Sequence, residues 1–176
     1  SGLDDLRMAV NLSALQWLRP ELPGEIRQAL SDAGLPGEAL ELELTESLLM
    51  SNPEQAIRTL AELKTIGVTI AVDDFGTGYS SLAYLKRLPL DTLTIDREFI
   101  GDLLHDPDDA TIVEMIIAMT RALGIRATAE GVELVGQLRF LERHGCEEVQ
   151  GYLLCRPLPA AACLDALLHA HGSAES

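Results

Sequence analysis

Six short apolar runs recur along the chain, each followed by residues at helical spacing, and this alternation limits the fold more than any other feature. The runs cover residues 7–12, 40–45, 68–72, 92–95, 125–129 and 148–152. Between them the chain predicts helices over 25–33, 80–88 and 133–144, with a last helix after Pro157 and Pro159. Two more helices have explicit start and stop signals. One opens on Asn52 with Pro53 at its first position and Gln55 three residues on, and Gly67 stops it. The other opens on Asp106-Pro107 and stops at Gly124. Strands that alternate with helices predict a parallel sheet, either open and doubly wound or closed into a barrel.

What leaves the strands separates these two architectures. Polar residues stand at or near the strand exits: Asn11, Glu43 with Glu46, Asp73 with Asp74, Asp96, Glu130 and Gln150. Any one of them reads equally well as a helix cap. In an open sheet only the strands at the switch point carry a ligand, so few exits need specialised residues. In a barrel every exit converges on one mouth. Six specialised exits in succession therefore favour the barrel. Converging carboxylates repel unless protonated or neutralised. With no His or Cys among them, the partners that suit them are hard cations: Mg²⁺, Mn²⁺ or Ca²⁺. A pair of such ions would clamp the two oxygens exchanged at a phosphate ester.

Composition narrows the partners. The chain has 176 residues, 47 % hydrophobic and 4 % aromatic, enough for one aliphatic core. A net charge of −15 argues against duplex DNA as a partner. The longest apolar runs, such as 115–119, are far too short to span a membrane. Three cysteines at irregular spacing give neither a disulfide framework nor a zinc knuckle, and read as small core residues in a reducing cytoplasm. Trp17 reads as packing, and the four histidines as surface residues. The expected domain covers residues 1–171, with 172–176 as a disordered tail.

The motifs themselves carry a resemblance. The stretches VNLS (10–13), LELTES (42–47), DDFGTGYSSL (73–82), TIDREFI (94–100), TAEGVE (128–133) and QGYLLCRPLP (150–159) resemble the EAL family, the bacterial cyclic di-GMP phosphodiesterases and receptors. The resemblance implies a TIM-like (β/α)8 barrel that binds cyclic di-GMP across the strand C-termini. Active members cut one phosphodiester with Mg²⁺ or Mn²⁺ to give pGpG, whereas Ca²⁺ supports binding without cleavage.

By the same resemblance, Asn11, Glu43, Asp73, Asp74 and Glu130 are metal ligands, and Asp96 and Gln150 line the ligand site. Glu130, Asp96 and position 94 form the catalytic group. Glu46 supports the loop after the paired aspartates. That loop contains Gly76 and Gly78 and is expected to mediate homodimer or interdomain contacts.

Two departures qualify this. The Glu-Ala-Leu signature belongs on a strand upstream of VNLS, so the barrel is expected to be incomplete, with six recognisable repeats. Active members also carry lysine where this chain has Thr94, which lacks the charge and the reach. The expectation is therefore a cyclic di-GMP-binding or protein-interaction module with impaired catalysis; the alternative is a working phosphodiesterase.

Overall fold

The computed structural model describes residues 6–75 and 82–174, with the side chains of all of these except Asp74, Leu82 and 168–174. In chain order the elements are β1 (Met8–Asn11), α1 (Ala14–Trp17), α2 (Leu22–Ala33), β2 (Leu40–Thr45), α3 (Glu46–Ser51), α4 (Pro53–Lys64), β3 (Thr69–Phe75), α5 (Leu82–Leu85), β4 (Thr92–Ile95), α6 (Arg97–Gly101), α7 (Pro107–Leu123), β5 (Arg126–Ala129), α8 (Val135–His144), β6 (Glu148–Val149) and α9 (Ala160–Ala174).

All five strand pairings are parallel, and the sheet order is β1-β2-β3-β4-β5-β6. The six strands form a curled half-barrel. Curling is visible in one contact: Arg7, just before β1, reaches Glu148 at the start of β6 at 3.5 Å, although these are opposite edges of the sheet.

Alternation explains the two faces. Leu42 and Leu44 of β2, Ile70 and Val72 of β3, Leu93 and Ile95 of β4, and Ala127 and Ala129 of β5 are all buried. They pack with Leu60 and Leu63 of α4, Val113, Ile116 and Ile117 of α7, and Leu141 of α8. Burial of this aliphatic layer is the main force holding helices to sheet. Trp17 joins the same core at 5 % exposure.

The start and stop signals act as their chemistry requires. The Asn52 side-chain oxygen accepts from the Gln55 amide at 3.2 Å, and that of Asp106 accepts from the Asp108 amide at 2.8 Å. Gly124 and Gly145 end α7 and α8 in the left-handed conformation, at φ 71° and 78°. The sequence pattern does not predict helices α1, α3 and α6; at four, six and five residues they are too short to show a period. Strand β6 is shorter than the expected 148–152. After Val149 the chain turns to meet the segment after β5, where the Leu153 amide donates to the Val132 carbonyl at 3.0 Å.

Candidate functional site: the inner face and its rim

In a parallel ladder, paired residues share a face, and residues two apart on a strand share it too. Asn11 pairs with Glu43, which pairs with Ala71. Asp73 lies two residues beyond Ala71. Ala71 pairs with Thr92, and Thr94 with Thr128, which pairs with Glu148. Asp96, Glu130 and Gln150 follow two residues after Thr94, Thr128 and Glu148. Register and alternation thus put Asn11, Glu43, Asp73, Thr94, Asp96, Glu130 and Gln150 at inner-face positions. Between Val72 and Phe75 the β3–β4 register shifts, an interval that includes both aspartates. The Asp74 side chain, Gly76 and Gly78 lie outside the described residues.

Contacts define this surface further. The Asn11 amide donates to the Glu43 carboxylate at 2.8 Å. Burial raises the Glu43 pKa above its ordinary value, and the charges of Asp73 and Glu41 add to the effect. Glu43, Thr94, Thr128, Glu148 and Gln150 line a hollow of about 380 Å³ on the inner face. Thr94 is buried at 3 % exposure.

Asp96 does two things at once. Its side chain caps α6 by accepting from the Glu98 amide at 2.6 Å, and it lines a second hollow of about 730 Å³ with Arg97, Glu133 and Gln137. Backbone bonds fix the neighbouring exits: the Glu130 amide donates to the Ile95 carbonyl at 3.1 Å, and the Gln150 amide to Ala129 at 2.8 Å. Glu46 opens α3 and is buried. Among the described residues, no three His, Cys, Asp or Glu side chains gather tightly enough to form a metal cluster.

Sequence reasoning missed the layer beneath. The Glu41 carboxylate, 7 % exposed, accepts from Thr92 at 3.1 Å, Arg7 at 3.3 Å and Arg126 at 3.4 Å. Arg126 also donates to Glu148 at 2.6 Å and to the Thr92 hydroxyl at 3.0 Å. Two cations thus neutralise two carboxylates on the side of the inner face away from the strand exits. The signal lies in the Glu-Leu-Glu alternation of β2 and the inward parity of Arg126, away from the strand exits.

Residues 1–157 match the EAL domain. The chain is 51 % identical over 171 residues to the cyclic di-GMP phosphodiesterase NbdA of Pseudomonas aeruginosa, covering 97 % of this chain and 22 % of NbdA. It is 50 % identical over 163 residues to the bifunctional diguanylate cyclase/cyclic di-GMP phosphodiesterase MucR of the same organism, covering 93 % and 24 %. The solved MucR phosphodiesterase–cyclic di-GMP complex is similar at TM-score 0.87 and 50 % identity, covering 89 % of this chain and 64 % of that one. A manganese and cyclic di-GMP complex of Klebsiella pneumoniae BlrP1 gives 0.81 at 31 % identity, covering 89 % and 40 %. The chain spans about a quarter of the length of these curated relatives. In sequence and in architecture, the chain belongs to the EAL domain family of cyclic di-GMP signalling proteins.

Proposed function

We propose that this chain is a cyclic di-GMP-binding domain whose phosphodiesterase chemistry is impaired. The observation that carries the reading is the shared inner face. Register and alternation put Asn11, Glu43, Asp73, Glu130 and Gln150 at positions of one surface, and Thr94 lines the same hollow as Glu43 and Gln150. The cyclic di-GMP complexes of MucR and BlrP1 support the choice of ligand.

The chemistry of the donor set, oxygen throughout, suits a divalent ion. Glu43 is half-buried beside Asp73 and Glu41 with its pKa raised, so a cation would relieve the repulsion. Asn11, Glu43, Asp73, Asp74 and Glu130 would hold Mg²⁺ or Mn²⁺, all through oxygen. Once bound, the ion would polarise the phosphate and lower the pKa of an attacking water. Asp96 and Gln150 would bound the ligand on the far side of the mouth. Impairment rests on Thr94: an uncharged, short side chain stands where active members place a lysine, and losing a preorganised cation costs orders of magnitude in rate. The domain bounds of 1–171, and homodimer or interdomain contacts through the loop after Asp74, belong to the same proposal.

A second reading is favoured by the 51 % identity to NbdA: a working phosphodiesterase releasing pGpG. One experiment separates the two. Calorimetry with cyclic di-GMP in Ca²⁺ should show binding, and incubation in Mn²⁺ should yield pGpG slowly or not at all. Rapid, complete conversion would replace the first reading with the second. Absence of binding in either ion would remove both.

A further inference from the structure

We propose that Gln137 is a positioning residue for the rim: it fastens the segment carrying Glu130 to the helix that follows Asp96 and so, together with the backbone bond between Glu130 and Ile95, sets how far apart those two carboxylates stand. The proposal rests on the rim being the metal and cyclic di-GMP site.

Gln137 sits in the first turn of α8 at 3 % exposure. Its side-chain oxygen accepts from the Glu133 and Leu134 amides, both at 2.9 Å. Its side-chain nitrogen donates to the Ile100 carbonyl of α6 at 2.7 Å. Asp96 caps that same helix. One buried amide therefore spans from the segment after β5 to the segment after β4.

The two walls are also joined where they leave the sheet, because the Glu130 amide donates to the Ile95 carbonyl at 3.1 Å. Beyond that bond the hollow of about 730 Å³ opens between them. They touch where Gly131, at φ +73°, lies against Arg97; a Cβ there would come within 2.6 Å of the Arg97 Cβ. On its other side the segment is tied to the β6 exit by the Val132 amide, which donates to the Gln150 carbonyl at 3.0 Å. Backbone bonds hold the segment at Ile95 and at the β6 exit, and Gln137 ties it to α6 itself.

Two substitutions test this. Gln137→Met keeps the length and apolar stem but removes all three bonds. Gln137→Glu keeps the acceptor, and only its protonated form can also donate to Ile100. With the full chain, well below its melting temperature, Gln137→Met should weaken cyclic di-GMP binding in Ca²⁺ by about 10–100-fold, the range found when groups supporting metal ligands are lost. Gln137→Glu should match Gln137→Met at pH 8 and recover toward wild type at pH 5, each compared with wild type at the same pH. A role in packing alone would give no such pH dependence.

Amide hydrogen exchange supplies a reading that needs no ligand. In Gln137→Met, residues 97–101 and 131–134 should both exchange at least tenfold faster. If wild type binds and the variants bind equally well, the positioning role is wrong and the rim reading stands. If wild type does not bind, the rim reading falls, and unchanged exchange at either segment would overturn the clamp independently.

Discussion

The Asn11 side-chain amide donates a 2.8 Å hydrogen bond to the Glu43 carboxylate, joining the exit of β1 to β2 across the first ladder of the sheet. The bond satisfies a half-buried carboxylate without neutralising it. Asp73 and Glu41 add negative charge nearby, and burial already disfavours the ionised form.

The first prediction is a pH dependence. A carboxyl with a raised folded-state pKa binds its proton more tightly folded than unfolded. Its contribution to stability is therefore complete below its ordinary pKa of 4.5 and is lost as pH rises through the raised value. The metal-free protein should lose melting temperature over that window relative to Glu43→Gln, which carries no titrating group there. Mn²⁺ should raise the wild-type melting temperature more at pH 8 than at pH 5 and leave Glu43→Gln unmoved. Equal Mn²⁺ shifts in both proteins would remove Glu43 from the ligand set.

The second concerns Thr94. Its position beside Glu43 and Gln150 in a hollow of about 380 Å³ leaves space for a longer side chain. Thr94→Lys should raise pGpG formation in Mn²⁺ by about a hundredfold or more, the scale of a lost electrostatic contact in a transition state. A variant that folds and binds cyclic di-GMP without any gain in turnover would show that the threonine is not what limits catalysis.

Glu41 provides a third. Removing one partner of a buried ion pair costs about 3–5 kcal/mol, but Arg7 and Arg126 keep 28 % and 32 % of their side-chain surface in water. Glu41→Ala should therefore cost about 2 kcal/mol in urea denaturation. The Glu41→Met, Arg126→Met double variant should recover much of that loss, because neither charge is then left without a partner. A strictly additive cycle would mean the contact contributes nothing.

How much of this could be read in advance depends on which signals are local. Strands β2 and β4 were legible residue for residue, because the alternation of Leu with Glu in one and of Leu and Ile with Thr in the other is written in consecutive positions. The placement of polar residues at the strand exits was legible because each exit lies beside its own strand. The ionic layer was not, since Glu41 and Arg126 are 85 positions apart and meet only once the sheet curls. Gln137 was equally hidden. Glutamine in a helix's first turn reads as an ordinary cap, and nothing local says that its amide nitrogen finds Ile100.

A fourth prediction tests the end of the molecule away from the rim. Asp91, just before β4, accepts from the Lys64 ammonium at 2.7 Å and from the Ile70 amide at 2.8 Å. Asp91→Ala should cost about 1–3 kcal/mol, the range for losing a charged hydrogen-bond partner. Cyclic di-GMP affinity should change less than twofold, because strand N-termini serve stability while strand C-termini carry the site. A large affinity loss with unchanged stability would contradict that division.

The fifth uses the thiols. Burial, reinforced by Glu147 and Glu148, pushes the Cys146 thiol up to about 11, whereas Cys155 and Cys163 are exposed. Alkylation at pH 8 followed by mass spectrometry should label the two exposed cysteines first, with Cys146 at least about tenfold slower. Equal labelling would place Cys146 in a more open setting than the fold gives it.

The sequential order of the sheet has a consequence for how the chain reaches this shape. Every strand lies beside its successor, so each ladder closes over a short stretch of chain: Thr92 meets Arg126 34 positions later, and Thr128 meets Glu148 after only 20. Among the described residues, no ladder waits on a distant terminus. Assembly can therefore advance one strand and helix at a time from either end, and an insertion between neighbouring units delays a single closure while the others proceed.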